Sequence, residues 1–207
     1  MLQMDILQGS VVATLPFPHM TAANVLPRDR EAALTHDFPE MKMAGFFPVD
    51  DLRYGESFAD LIADLRSDEF SAIMAEKFHQ PLERAPTLIT IRRLSAKKDG
   101  RIHTDGPDKI ASALIYLNSE WNSTDGRLRM LAKPVFDASD PIEINPIYGN
   151  FIAFERSDHS YHGHLPFVGE RRVVQIAWLT GTAALARKQK RHGRISFLKT
   201  LAHSMGF

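Results

Sequence analysis

The stretch LITIRRLSAKKDGRIHTDGPDKIASALIYL, residues 88–117, decides the fold of this chain. Both ends of the stretch are short, rich in β-branched residues and bounded by turn residues, which is typical of strands. We therefore predict strands at Leu88–Leu94 and Ser112–Leu117, with a turn at Lys98-Asp-Gly100 between them. The sequence His103-Thr-Asp105 lies in the connection between the two strands.

Further stretches of the same character continue this pattern along the chain. Many short strands separated by turn signals favour a two-sheet sandwich or jelly roll. Helices do not alternate with these strands, so a parallel doubly wound sheet is not expected. The four further predicted strands are Arg127–Leu131, Ile142–Ile144, Asn150–Phe154 and Arg172–Trp178.

The regions on either side of these strands have helical periodicity instead. We expect a single domain over 1–207, with a mostly helical region 1–85, a jelly-roll core 86–180 and a helical basic tail 181–207. A shorter helix is expected after Pro27. The fold class is therefore α+β with a mainly β core, N-terminal helices and a C-terminal helix. The apolar stripes that predict helices are Phe58, Leu61, Ile62 and Leu65; Phe70, Ile73, Met74 and Phe78; and Ile195, Leu198, Leu201, Ala202 and Met205.

Composition narrows the possible partners and metal ligands. The 207 residues include 25 basic and 25 acidic side chains, so no net charge favours binding to nucleic acid or to an anionic membrane. The chain has no cysteine, so a metal site would need nitrogen and oxygen ligands. No apolar run approaches the roughly 18 residues of a membrane span. Met1–Val12 does not resemble a signal peptide. We expect a cytoplasmic protein with neither nucleic acid nor membrane as partner.

The sequence His103-Thr-Asp105 suggests a metal site. We expect this motif to be extended, as at the end of a strand, where residues i and i+2 point to the same side, so this imidazole and this carboxylate can contact one ion. A cluster with His159, His162 and His164 follows between the last two predicted strands. Two histidines and one carboxylate form the facial triad of non-haem iron(II) oxygenases. Spacing alone leaves open which histidine of the cluster would be the third ligand.

These residues, taken in order, resemble a known family. Residues 89–178 are similar to the catalytic core of the prolyl 4-hydroxylase-like 2-oxoglutarate/iron(II) dioxygenases, whose fold is a double-stranded β-helix, a form of jelly roll. The joint order and spacing of the motifs are more specific than any one of them. The matching motifs are His103-Thr-Asp105, Ile115-Tyr-Leu-Asn118, Asp125-Gly-Arg-Leu-Arg-Met130, Pro146–Phe154, Ser160-Tyr-His-Gly163 and Gly169–Trp178.

The resemblance implies a role for each matching residue. His103, Asp105 and His162 would ligate iron(II), and 2-oxoglutarate would chelate the same ion. Arg172 would pair with the distal C5 carboxylate of 2-oxoglutarate, a contact that suits the fork of a guanidinium. Tyr116 would donate a hydrogen bond to that carboxylate. The reaction would hydroxylate a substrate and release succinate and carbon dioxide.

The chain departs from the family pattern at two places. Some relatives carry a tyrosine just before the His-x-Asp motif, whereas this chain has Arg92-Arg93-Leu94. The third ligand lies among three histidines; the match on Tyr161-His162-Gly163 selects His162. It leaves His159 as a neighbour and His164 as a residue beside the substrate or the ligands.

Strand alternation makes a separate prediction about which arginine faces the jelly-roll interior. Adjacent strand residues point to opposite faces. We expect the more apolar face to point inward and Arg172, not Arg171, to bind the cosubstrate. Arg172 shares its face with Val174, Ile176 and Trp178, and Arg171 shares the other face with Val173, Gln175 and Ala177.

Two other functions remain compatible with the same fold. One is a cupin-like metalloenzyme that does not use 2-oxoglutarate, and such an enzyme would have no need for Arg172. The other is a metal-free jelly-roll binding module. The substrate is open between a protein, a peptide and a small molecule, since a fold does not select a substrate. The oligomeric state is open as well.

Overall fold

The computed structural model describes residues 1–136 and 142–190 of the chain. Within these residues, ten strands form two sheets, and every pair of named neighbouring strands is antiparallel. The large sheet has the order β1-β2-β8-β5-β10-β4-β3, and the small sheet has the order β7-β6-β9. The strands are β1 (Val12–Ala13), β2 (His19–Ala22), β3 (Phe47–Pro48), β4 (Thr87–Ser95), β5 (Lys109–Tyr116), β6 (Leu128–Leu131), β7 (Ile142–Ile144), β8 (Phe151–Glu155), β9 (Tyr161–Gly163) and β10 (Gly169–Leu179).

Helices cover one face of the large sheet. The helices of the first region are α1 (Met4–Gly9), α2 (Glu31–His36), α3 (Glu56–Leu65) and α4 (Asp68–Phe78). The Ser67 hydroxyl accepts a hydrogen bond from the Phe70 amide and caps the start of α4. Because apolar residues recur every three or four positions in α3 and α4, each helix presents one buried stripe to the sheet.

The large sheet is buried on both faces and lies between two apolar clusters. Along β10, Val174, Ile176 and Trp178 join the cluster under the helices, where Trp178 stacks on Phe70. Val173, on the opposite face, belongs to the cluster between the two sheets. Strand alternation thus sends neighbouring residues to different cores, one apolar and shared with helices, the other shared with the small sheet.

The architecture confirms the expected α+β class with a mainly β double-stranded β-helix core. All six predicted strands are present within two or three residues of their expected ends, and both apolar stripes of α3 and α4 are buried. The helix expected after Pro27 is α2, preceded by a short 3-10 turn.

Sequence patterns did not reveal four of the strands. β1 and β3 have two residues each, too few to show a period, and β9 contains a histidine and a glycine. β2 carries only His19–Ala22, yet it adds to the large sheet from within the mostly helical first region. The division into three regions of a single domain stays a prediction.

Residues 182–190 are helical, as expected for the start of the tail. The apolar stripe from Ile195 to Met205 lies outside the described residues. Among the residues that the structure describes, no helix combines the length and the hydropathy needed to cross a membrane.

The contact between α4 and the sheet gives a testable prediction. Phe70 is fully buried, with ring centroids 5.6 Å from Trp178 and 6.4 Å from Phe151. Replacing Phe70 with alanine leaves a cavity and should lower the free energy of unfolding by roughly 3–5 kcal/mol in a urea titration. The control Val168→Ala, at a side chain that is 70% exposed, should change it by less than about 0.5 kcal/mol. Equal losses for both variants would contradict this packing.

Candidate active site

The three predicted metal ligands lie close together. His103, Asp105 and His162 each offer a ligand atom, and these atoms all lie within 4.8 Å of one another. The two imidazole rings are 4.4 Å apart between centroids. Within residues 1–136 and 142–190 this is the one group of three or more histidine and acidic residues with such geometry.

Backbone pairing brings the two histidines together. The His103 amide donates to the His162 carbonyl at 3.0 Å, and the His162 amide donates to the His103 carbonyl at 2.9 Å. This isolated antiparallel bridge adds the segment around His103 to the edge of the small sheet beside β9. Because of this pairing, two residues far apart in sequence have a fixed separation.

The same ring nitrogen of each histidine is held by a backbone carbonyl. Nδ1 of His103 lies 2.9 Å from the Arg101 carbonyl oxygen, and Nδ1 of His162 lies 2.9 Å from that of Ser160. A carbonyl oxygen can only accept, so each Nδ1 carries the hydrogen and each Nε2 presents its lone pair. Such outer hydrogen bonds orient metal-binding histidines in proteins generally.

Asp105 is buried with two donors on its carboxylate. Lys109 Nζ lies 2.7 Å from Oδ1, and Ser112 Oγ donates to Oδ2 at 2.6 Å. Burial alone would raise the pKa of Asp105, but Lys109 and His162, together with the Ser112 hydroxyl, bring the pKa down to about 2. Burial lowers the pKa of His162 to about 4 against the raising effect of Asp105. At neutral pH the carboxylate is charged and the imidazole neutral, the forms that bind a metal.

A small pocket extends from the triad into the space between the sheets. Its volume is about 100 Å³, far below the roughly 300–1,000 Å³ of pockets for drug-sized ligands, so it fits one small molecule. The lining residues are of three kinds: imidazoles, guanidiniums and apolar side chains. They include His103, His162, Arg92, Arg171, Leu114 and Phe154.

Arg171 is fully buried beside this pocket. Its Nε donates to the Gly126 carbonyl at 2.8 Å, and its Nη2 lies 3.5 Å from the Tyr116 hydroxyl. Gly126 has a φ of +77°, a turn conformation that favours glycine, and this turn aims its carbonyl at the arginine. The described residues offer Arg171 no ion-pair partner. Burial lowers the pKa of Arg171 and raises that of Tyr116.

Arg172 does not face the pocket, which corrects the predicted orientation of β10. Its Nε forms an ion pair with Glu170 at 2.7 Å, and its guanidinium lies 5.5 Å from the ring centre of Phe38. The predicted alternation along β10 was right, but the inward face was reversed. The apolar face is covered by helices, and the mixed face with Arg171 and Gln175 lines the pocket.

The other two histidines of the cluster lie apart from the triad. His159 is exposed. His164 is buried in the pocket wall, where burial and the nearby Arg171 together lower its pKa to about 4. Arg92, which also lines the pocket, was not predicted as a site residue. The sequence did contain a signal for this position: Arg92 is a charged residue within a strand whose pattern otherwise indicates burial.

Comparisons with known proteins agree with this geometry. Residues 90–180 match the model of the 2OG-Fe(II) oxygenase superfamily. No curated protein matches the chain significantly. Among solved structures, a prolyl-4-hydroxylase from Pseudomonas putida is 19% identical with a TM-score of 0.58, and the match covers 86% of this chain and 90% of that one.

Two further structures share the fold. HygX from Streptomyces hygroscopicus, solved with nickel and 2-oxoglutarate bound, is 10% identical with a TM-score of 0.53, covering 78% of this chain and 82% of that one. A Trichoplax adhaerens prolyl hydroxylase in complex with a peptide fragment of hypoxia inducible factor is 14% identical with a TM-score of 0.51, covering 86% and 87%. At such identities these likenesses show the fold alone. The match to the 2OG-Fe(II) oxygenase superfamily model covers residues 90–180, the part of the chain that carries the triad and most of the pocket.

Proposed function

We propose that this chain is an iron(II)- and 2-oxoglutarate-dependent dioxygenase that binds iron with His103, Asp105 and His162. The observation that carries the proposal is one small pocket lined by two triad histidines and by the fully buried Arg171, which has no ion-pair partner among the described residues. A buried guanidinium without a counter-ion is costly unless a ligand supplies an anion. The terminal carboxylate of a small keto acid bound at the metal meets this need.

The donor set fits iron(II). Two neutral imidazoles and one carboxylate on one side of an ion leave its other positions open, as in non-haem iron oxygenases. When bound, the iron would supply the redox chemistry by which dioxygen is the oxidant: one oxygen atom would enter succinate as 2-oxoglutarate loses carbon dioxide, and the other would replace hydrogen with hydroxyl on the substrate. The chain orients the ligands through the Nδ1 contacts and keeps Asp105 ionised through Lys109 and Ser112.

Arg171, and not Arg172, is the residue proposed to bind the C5 carboxylate. Gly126 holds its Nε, so the remaining guanidinium hydrogens can serve a ligand. The Tyr116 hydroxyl accepts from Arg171 and still has its own hydrogen to donate to the same carboxylate. A guanidinium and a phenol thus act together on one anion, as proposed for Tyr116 from the sequence.

The substrate is proposed to approach from the His103 side, since His103 is the exposed member of the triad. Members of the superfamily act on peptides or small molecules, and the Trichoplax adhaerens enzyme was solved with a peptide fragment. A protein, peptide or small-molecule substrate is therefore proposed for this chain. A cytoplasmic location and the absence of nucleic-acid partners stay predictions.

Alanine variants of the ligands test the metal site. His162→Ala should reduce bound iron from about one ion per chain to below about a tenth, because two ligands hold the ion poorly. His159→Ala, at an exposed histidine of the same loop, should leave iron content unchanged. Iron is measured in anaerobically loaded protein, alongside succinate release in a screen of candidate peptides and amino acids. If only His159→Ala lost its iron, His159 and not His162 would be the third ligand.

The close approach of the two histidine-bearing segments makes a second prediction. A Cβ on Gly163 would lie 2.7 Å from the Gly100 carbonyl oxygen and 3.0 Å from the Ile102 Cα. Gly163→Ala should push these backbones apart and weaken Mn²⁺ binding at least about tenfold, about 1.4 kcal/mol. Calorimetric titration measures this affinity.

Gly106→Ala is the matched control, because Gly106 adjoins Asp105 and its Cβ would meet nothing within 4 Å. Unchanged Mn²⁺ affinity in a folded Gly163→Ala variant would show that the metal site does not depend on this contact.

The two adjacent arginines test the cosubstrate site. Removing one side of a desolvated ion pair costs roughly 2–5 kcal/mol, so Arg171→Leu should raise the dissociation constant for 2-oxoglutarate at least about 30-fold. Arg172→Leu should change it by about threefold or less, since Arg172 pairs with Glu170 away from the pocket. The iron(II) form is titrated under nitrogen and followed by its visible charge-transfer band.

A larger loss of 2-oxoglutarate affinity in Arg172→Leu than in Arg171→Leu would support the orientation of β10 predicted from the sequence, with Arg172 facing inward. No band in the wild-type protein with iron present would favour the cupin-like alternative. Arg171→Lys, which keeps the charge but not the fork, provides a second variant if the leucine variant unfolds.

A further inference from the structure

A second arginine, Arg92, faces the same pocket as Arg171. In the register of the large sheet, Val173 of β10 lies opposite Tyr116 of β5 on one side and opposite Arg92 of β4 on the other. These three residues form one row across the sheet and share a face. Arg92 and Arg171 both line the pocket.

Arg92 is buried with only part of its hydrogen-bonding capacity used. Its Nη1 donates to Ser95 Oγ at 3.1 Å, and its Nη2 forms an ion pair with Asp99 at 3.5 Å. The guanidinium lies 4.3 Å from the ring centre of Phe46. Its Nε is buried and has no acceptor among the described residues. Buried donors in native proteins normally have partners, so this donor indicates a ligand.

The charges around the two arginines do not balance. Arg92 and Arg171 contribute two positive charges, and Asp99 contributes one negative charge at the longer distance of an ion pair. Burial lowers the pKa of Arg92 to about 10 against the raising effect of Asp99, so Arg92 stays protonated at neutral pH. His164, the nearby imidazole, is neutral there. The end of the pocket therefore lacks one negative charge, the charge of one carboxylate.

The position of the arginines selects which carboxylate would bind. Ser112, which contacts Asp105, and Tyr116, which contacts Arg171, are both on β5. They are four residues apart, about 13 Å along a strand. The arginines thus approach the pocket from the end away from the metal ligands. The volume of about 100 Å³ leaves room for one small molecule, so both guanidiniums would address the same ligand.

We propose that Arg92 is a second cosubstrate-specificity residue, which acts with Arg171 on the C5 carboxylate of 2-oxoglutarate. This inference rests on the proposed function and deepens it. The two arginines make the pocket selective for keto acids that carry a distal carboxylate. The C5 carboxylate balances one of the two positive charges, and Asp99 balances the other.

The test compares 2-oxoglutarate with 2-oxopentanoate, which has the same carbon chain but no C5 carboxylate. Both are titrated calorimetrically into Mn²⁺-loaded protein, so the readout does not depend on turnover. Arg92→Gln should raise the dissociation constant for 2-oxoglutarate at least about tenfold and leave that for 2-oxopentanoate within about threefold. Arg92→Lys should recover part of the loss, because it restores the charge.

Arg93→Gln is the matched control. Arg93 is the next residue of β4 and pairs with Glu40 and Glu170 outside the pocket, so neither dissociation constant should change. Equal weakening of both keto acids by Arg92→Gln would overturn the inference, since Arg92 would then not act on the C5 carboxylate. Unchanged affinity for both keto acids in Arg92→Gln would also overturn the inference. Arg92 would then contact the primary substrate or serve only in packing. Failure of the wild-type protein to bind 2-oxoglutarate with metal present would instead overturn the proposed function, and the inference with it.

Discussion

The reciprocal backbone hydrogen bonds between His103 and His162 are the constraint on which the rest of the site depends. They connect a loop that follows β4 to the edge of the small sheet. Neither segment alone holds a metal ligand set. Gly100 and Gly163 allow this close approach. A Cβ at Gly100 would meet the carbonyl oxygen of His164, and a Cβ at Gly163 would meet that of Gly100. The chemistry of the imidazoles thus follows from main-chain geometry that any larger residue would disturb.

Burial on both faces of the large sheet gives its strands two functions. Along β10, Val174, Ile176 and Trp178 point toward the helices and stabilise the fold, as Trp178 does against Phe70. Residues that point toward the small sheet include polar groups, because this face encloses a pocket as well as a core. A polar residue there is costly unless a ligand or another side chain satisfies it. This division explains why one face of β10 packs against helices while the other lines the pocket.

Much of this arrangement could be predicted from the sequence. Period and turn residues located the six strands and the stripes of α3 and α4, and the His103-Thr-Asp105 motif indicated the triad. The error at Arg172 came from the assumption that the apolar face of β10 lines the jelly-roll interior. Local pattern cannot reveal that helices cover that face, since this cover comes from residues about a hundred positions earlier. β9 and the position of Arg92 in the pocket wall were missed because each depends on pairing with distant segments.

The large sheet ends on each side in a strand of two residues, β1 and β3. A sheet edge exposes unpaired amides and carbonyls, and a long flat edge can recruit a strand from another molecule. Here the outermost strands offer very few such groups. In β3, Pro48 has no amide hydrogen at all. Edge-to-edge growth into aggregates is therefore disfavoured at both ends of this sheet, and self-association of the chain would have to use side-chain surfaces instead of strand addition there.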